Sequence, residues 1–210
     1  QVKKVFALCT LISMVSIPGA SIADHLRPNF SENKDRSNLA HTNLNNANLK
    51  NANLEGANLN NTNLNGADLS GANLRGANLN NADLRNTNMK GANLREAFLY
   101  KVNFSNSDMR DAILINARMI NANLSGANLT NAVMNGVILR NADMRNTNLS
   151  NTVISNANLS RSFLNNAILN NAAFEGTNLN GITAKNIIGC PWNLAEGWIC
   201  EKNELLQKKF

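Results

Sequence analysis

Residues 47–71 read ANLKN ANLEG ANLNN TNLNG ADLSG, with leucine at every fifth position and a small residue two places before each leucine. Outward from this stretch the pattern runs from Leu39 to Leu179 without an insertion. The 29 positions at this five-residue spacing form a single file, and all of them are Leu, Met, Ile or Phe. The small position two places earlier holds Ala, Ser, Thr or Val throughout. Such a fixed register identifies a repeat architecture.

A spacing of five matches neither ordinary secondary structure. An amphipathic helix needs apolar residues about every 3.6 positions, and a half-buried strand needs them every second position. Aromatic residues make up only 5% of the chain, so the side chains that fill a wide core are scarce. The core is therefore expected to be narrow.

The repeated unit resembles that of the pentapeptide-repeat family, A-(D/N)-L-x-x. The blocks Ala47–Asn51 and Ala67–Gly71 match it at each defined position. The resemblance implies an all-β fold, a right-handed quadrilateral β-helix with 20 residues per coil, and about seven coils over residues 37–181. In such a coil the small residue and the Leu point inward, and the other three positions face solvent.

Asparagine columns are expected to serve the structure, because stacked Asn amides can hydrogen-bond in a ladder and Asn tolerates tight corners. Two columns in steps of 20 carry this expectation: Asn43, Asn63, Asn103 and Asn123, and Asn48, Asn88, Asn128 and Asn148.

The first 23 residues have the pattern of a secretory signal peptide. Lys3 and Lys4 precede an apolar run, Val5–Ile17, and Ser21–Ala23 supplies small residues before a cleavage site. A retained membrane anchor is the alternative, but the run is shorter than the ~20 residues that span a bilayer. We expect a periplasmic or secreted protein that starts at Asp24 and does not insert into the membrane after cleavage.

The two ends of the repeat array are expected to be covered. Residues 24–36 form a polar leading segment in which Phe30 and Leu26 could plug the first coil. Residues 182–210 are predicted to form a C-terminal cap, with a short helix within 201–210. Trp192 or Trp198 would lie over the open end of the core.

Cys190 and Cys200 are an even pair in a chain predicted to be exported, so a disulfide is expected. Two short strands joined by a turn at Asn193–Gly197 would bring them together. A zinc site is the weaker alternative, because two Cys without a nearby His do not complete four ligands.

Enzyme chemistry is not expected, and the sequence offers no catalytic, cofactor or metal site. Its two histidines, His25 and His41, are too far from a suitable nucleophile and acid to form a triad. Outward carboxylates such as Asp108 and Asp111 stand among Lys and Arg and are better explained as a solvated surface. The formal charge of +6 lies largely in the two ends, which does not favour a nucleic-acid binder.

One outward column turns from polar to apolar along the chain. It reads Asn53, Asn73, Asn93 and then becomes apolar from residue 113 onward. An exposed apolar strip is a candidate interface for a second copy or another protein. β-branched residues tolerated on a strand face are the alternative explanation. The candidate interface residues are Phe98, Ile113, Ile115, Ile120, Val133, Ile138, Val153 and Ala173.

We therefore predict a non-enzymatic scaffold that binds proteins. The family resemblance suggests an alternative, since some members resemble a DNA duplex, act on type II topoisomerases and give quinolone resistance. The excess of Lys and Arg over acidic residues in the repeats and the predicted export both disfavour it.

Overall fold

The computed structural model describes residues 38–208, which wind into a four-sided parallel β-helix. Parallel bridges join the central residue of each block to the residue 20 positions later, from Asn38–Asn58 to Ala173–Asn193. Because each block has five residues and each coil 20, a coil has four sides. The ladder continues past residue 181, where the sequence placed the end of the solenoid.

The four faces are named here by the residues at their strand centres, which follow one another in steps of 20. The first face has Asn38, Asn58, Asn78, Phe98, Arg118, Ile138, Asn158 and Asn178; the second runs from Asn43 to Thr183, the third from Asn48 to Ile188 and the fourth from Asn53 to Asn193. The fourth face leads around a corner into the first.

The interior is filled by the every-fifth file that the sequence singled out. No member from Leu39 to Leu179 is more than 3% exposed, and the large side chains Phe104 and Phe174 are fully buried. The prediction that this file packs inside a narrow tube is confirmed. Stacked coils bring each side chain against its counterpart 20 residues away, so continuous apolar contact holds neighbouring coils together.

Each corner is a tight turn with positive φ at one position. The N–H of Ala47 donates to the Leu44 carbonyl at 3.0 Å, and the third turn residue, Asn46, has φ of 57°. Positive φ only at that position is the type II pattern, which favours Gly or Asn. Gly71 and Gly91 occupy the same position in successive coils. The choice of Asn or Gly at the second position after Leu therefore has a backbone cause.

Threonine side chains replace Ala on the inner wall at little cost. Thr87 is buried and donates its hydroxyl to the Leu84 carbonyl at 2.8 Å, and Thr147 bonds the Met144 carbonyl at 2.7 Å. A buried hydroxyl that is hydrogen-bonded avoids most of its desolvation penalty. These Thr residues are thus compatible with the narrow core.

The C-terminal cap is a two-stranded antiparallel hairpin. Strand β1 spans Trp198–Glu201 and β2 spans Glu204–Gln207. The Leu205 N–H donates to the Ala184 carbonyl at 3.1 Å, and the Ile187 N–H donates to Asn203 at 2.9 Å, so the hairpin adds to the last coil. This arrangement covers part of an otherwise open sheet edge.

Two details of the predicted cap are wrong. The two paired strands are not joined at Asn193–Gly197, because Asn193 pairs with Ala173 and continues the solenoid ladder. The predicted helix within 201–210 is absent from the described part, where residues 204–207 form β2. Backbone pairing with the exposed last coil favours a strand over an isolated helical turn.

The predicted disulfide between Cys190 and Cys200 is present, with a Cα–Cα distance of 5.9 Å. It joins β1 to the last coil. Trp198 packs against the core, as expected of a cap residue, whereas Trp192 is 71% exposed and does not cover the interior. Trp192 stands 20 positions after Ala172, at an inner-wall register that accepts only small side chains.

The predicted signal peptide, residues 1–23, and the leading segment, residues 24–36, lie outside the described residues, as do His25, Leu26, Phe30 and the last two residues. Residues 38–208 contain no helix that is long and apolar enough to cross a membrane.

Candidate interaction surface on two neighbouring faces

Most strand centres are Asn or Asp because this side chain completes the corner that follows. The Asn123 Oδ1 accepts the Ser125 N–H at 3.0 Å, and the Asp68 Oδ1 accepts the Ser70 N–H at 2.9 Å. An oxygen three bonds from Cα has the right reach for this local turn. The repeat thus uses its central polar residue to satisfy a corner N–H.

Asparagine ladders also form, although mainly in other columns than expected. The Asn73 amide donates to Asn53 at 3.2 Å on the fourth face, and a corner ladder runs through Asn131, which donates to Asp111 at 3.0 Å. In the predicted second-face column, the Asn123 Oδ1 accepts the Ser125 N–H and the Ser125 hydroxyl. In the other predicted column, on the third face, the Asn88 side-chain amide donates to Asp68 at 3.1 Å.

The apolar strip lies on the fourth face. Ile113, Val133 and Val153 are bridged in direct succession, and Val153 is 38% exposed. Their side chains carry no acceptor, so these three blocks give up the corner hydrogen bond that Asn supplies elsewhere. The strip therefore replaces a stabilising polar residue with apolar surface, half-buried at Ile113 and Val133 and exposed at Val153.

Ala173 does not belong to the exposed strip, in contrast to the prediction. Its residue exposure is only 5%, because its small side chain lies in the column between the larger side chains of Val153 and Asn193, which are both bridged to it. The Glu175 carboxylate accepts the Asn193 side-chain amide at 3.2 Å beside it. The exposed part of the column thus ends at Val153.

The other predicted residues lie on the first face or at its corners. Phe98 and Ile138 are strand centres of the first face, with Arg118 between them. Ile115 stands at the corner from the fourth face into the first, and Ile120 at the next corner. The seven exposed or half-buried candidates therefore share two adjacent faces.

Four further apolar residues occupy outward positions, where most side chains are polar, and were not predicted from the sequence. Tyr100 lies at the corner after Phe98 on the first face and is 42% exposed, as is Phe98 itself. Phe163 on the second face, and Ile168 with Ile188 on the third, lie toward the cap. A search of every outward column for apolar residues, and not of one column alone, would have identified them.

Three Asp–Arg pairs account for much of the outward charge. Asp83, Asp108 and Asp143 each accept a charge-assisted bond from the Arg two residues later, with Arg85 at 2.7 Å and Arg145 at 2.6 Å from their partners. Hydrogen bonds from these Arg side chains lower the pKa of each carboxyl. A general acid would need a raised pKa, so these carboxylates are suited to structure.

The described residues contain no cluster of metal-binding side chains. Within residues 38–208 no group of three or more His, Cys, Asp or Glu side chains could hold a metal ion. His41 is exposed at the first described corner. The outward surface is therefore characterised by its apolar and charged patches.

The family model described as pentapeptide repeats matches eight copies in this chain, over residues 35–71, 72–111, 112–151 and 147–183. No curated protein matches. HetL, a pentapeptide repeat protein involved in heterocyst differentiation regulation from the cyanobacterium Nostoc sp. strain PCC 7120, is similar in structure. It has a TM-score of 0.54 and 24% identity, with 78% of this chain and 90% of HetL covered.

QnrB1, a plasmid-mediated fluoroquinolone resistance protein, is also similar, with a TM-score of 0.55 and 18% identity. The match covers 65% of this chain and 79% of QnrB1. At these identities the likeness bears on the fold, which is a right-handed quadrilateral β-helix in these neighbours.

Proposed function

Because this chain belongs to the pentapeptide-repeat family, we propose that it is a non-enzymatic scaffold of about seven coils that binds a protein on its first and fourth faces. The apolar column Ile113, Val133 and Val153 carries the proposal. Each of these residues forfeits a corner hydrogen bond whose net contribution to stability is roughly 0.5–1.5 kcal/mol. A contiguous apolar strip that extends around the corner to Phe98 is typical of a protein interface.

We place the scaffold in the periplasm or outside the cell. The signal-like residues 1–23 and the Cys190–Cys200 disulfide support an oxidising compartment. The partner would then be another exported protein or a second copy of this chain.

A duplex-like surface directed at a topoisomerase is the weaker candidate. Between residues 38 and 181 the chain carries 11 Lys and Arg against eight Asp and Glu. A surface that imitates phosphates needs the opposite balance. An unchanged rate of DNA supercoiling by gyrase in the presence of the protein is the expected result.

The scaffold proposal is tested by placing stacked lysines on the apolar strip. The variant Ile113→Lys/Val133→Lys is expected to remain folded and to lose self-association, measured by sedimentation velocity, or capture of its partner from a periplasmic extract. Lysine adds a charge that must be desolvated in the interface. The expected loss is about tenfold or more in the amount captured.

The control is Asn103→Lys/Asn123→Lys, which stacks two lysines in corresponding coils of the second face. It also removes two corner hydrogen bonds, so circular dichroism must show that it is folded. It should leave association and capture unchanged. If the two variants show equal association and capture, the interface is contradicted. The strip is then explained as β-branched residues tolerated on a strand face.

A further inference from the structure

The excess positive charge of the repeats is concentrated on one face. Over residues 38–181 the outward positions of the first face, strand centres and the corners that follow them, hold four cations and no carboxylate. The second face has two of each sign, the third has three of each, and the fourth has two cations and three carboxylates. The four cations are Lys101, Arg118, Arg140 and Arg161.

These cations are accompanied by exposed aromatic rings. The Arg118 guanidinium lies over the Phe98 ring, 5.2 Å from its centroid, and the Lys101 ammonium lies 5.3 Å from the centroid of Tyr100. A guanidinium held over an aromatic ring keeps its N–H edge available for a carboxylate. The rings thus position the cations while their exposed edges remain apolar surface.

Neighbouring carboxylates do not neutralise this group. Glu96, at the corner into the first face, lies 3.7 Å from Arg75 of the fourth face. Asp143, at the adjacent strand centre of the second face, is held by Arg145 at 2.6 Å. Within residues 38–208 none of the four first-face cations forms an ion pair.

The patch has the dimensions of a peptide site. Its residues occupy four successive coils, from 98–101 to 158–161, which corresponds to ~15 Å along the axis at the usual strand spacing. Four coils of one face cover roughly 15 by 10 Å at the usual strand spacing and rise. This is well below the ~800 Å² that each partner buries in a stable interface between folded domains. A short segment fits this length.

We infer that the first face between Phe98 and Arg161 binds a short acidic segment of the partner, with apolar side chains among its carboxylates. This inference rests on the proposed scaffold function. Carboxylates of the segment pair with Arg118 and Arg140, which bind them bidentately, and its apolar side chains pack on Phe98, Tyr100 and Ile138. The apolar strip of the fourth face extends the contact around the corner.

The probe is a fluorescein-labelled peptide of three Glu-Glu-Leu repeats, and its binding to the full chain is measured by fluorescence anisotropy. Binding should weaken at least about tenfold in Arg118→Gln/Arg140→Gln, because two charge-assisted contacts are lost. It should also weaken when Leu is replaced by Gly in the peptide.

The matched control is Arg85→Gln/Arg145→Gln, which changes net charge equally but removes Arg residues already paired with Asp on the second face. This variant should bind within about twofold of the unaltered protein. Circular dichroism and thermal melting of both variants confirm that they are folded.

Equal weakening by both variants, or no measurable binding, overturns the inference. Tighter binding of heparin or of single-stranded oligothymidine, with the same dependence on Arg118 and Arg140, also overturns it in favour of a sulfate or phosphate polyanion. If the peptide fails while Ile113→Lys/Val133→Lys still abolishes capture, the scaffold function stands and only the acidic segment is refuted.

Discussion

At the scale of single residues, the corner position decides which side chains the coil accepts. Gly71 and Gly91 have φ of 66° and 67° and occupy the same corner in adjacent coils. A Cβ on Gly71 would stand 2.3 Å from the Asn51 Oδ1, whereas a Cβ on Gly91 meets no atom within 4 Å. The two sites therefore separate backbone strain from crowding.

Gly91→Ala is expected to cost ~1–2 kcal/mol from the left-handed backbone alone. Gly71→Ala should cost about 1 kcal/mol more, because the Asn51 amide must turn away. Thermal and urea denaturation of the two variants measure the difference.

Removing the neighbour provides the control. In an Asn51→Gly background, which keeps a residue suited to positive φ, Gly71→Ala should cost no more than Gly91→Ala. If the difference between the two glycines persists in that background, crowding by Asn51 is not its cause.

At the scale of elements, the cap is joined to the last coil by few backbone bonds and one disulfide. β1 and β2 reach the solenoid through Leu205 and Asn203, and Cys200 in β1 is linked to Cys190. Leu205 is also buried in the core, and Trp198 packs against it. The disulfide adds a covalent link to these backbone and apolar contacts.

Cys190→Ser/Cys200→Ser should detach the hairpin without unfolding the central coils. A loop of this length, with a sequence separation of 10, gives a predicted contribution of roughly 2–3 kcal/mol. Amide hydrogen exchange should lose protection at Leu205 and Ile187 and keep it at mid-rod positions such as Leu124.

Reduction of the unaltered protein should reproduce the same exchange pattern. Unchanged protection at Leu205 in both samples would mean that strand pairing alone holds the cap.

At the scale of the whole molecule, the β-helix is a one-dimensional stack in which each coil contacts only its neighbours. Backbone bonds link blocks about 20 residues apart, as in Leu124, whose N–H donates to the Asp143 carbonyl at 2.7 Å. In such a stack a defect in the middle interrupts the contacts of both halves.

Leu124→Asp should unfold the adjacent coils, because it places an unpaired carboxylate where Leu124 is fully buried. A destabilisation of about 4–5 kcal/mol or more is expected, since both the packing and the charge burial are unfavourable. Circular dichroism and limited proteolysis would show loss of the central coils.

Asn123→Asp provides the control, because it adds the same charge one residue earlier on the solvent side of the strand. Its Oδ1 can still accept the Ser125 N–H. Normal folding of Leu124→Asp would refute the inward placement of the file, and severe unfolding of Asn123→Asp would show that charge anywhere on the strand is harmful.

The five-residue pattern is enough to predict which side of the wall each residue of the repeats occupies. The period of five repeats small, polar and large positions in a fixed order. Only one assignment of inward and outward positions buries Leu and leaves Asn exposed to solvent. The corner preference for Asn and Gly, and the even pair Cys190 and Cys200, are local or compositional signals of the same kind.

The contacts across coils and at the cap follow from the folded arrangement and not from the repeat pattern. Arg118 lies over the ring of Phe98 in the preceding coil, Ala173 is buried between Val153 and Asn193, and the hairpin forms at 198–207. These outcomes depend on contacts between residues 20 positions apart and on competition for the last open edge. The five-residue spacing does not indicate these contacts, because they form between neighbouring coils and depend on which side chains stand opposite each other.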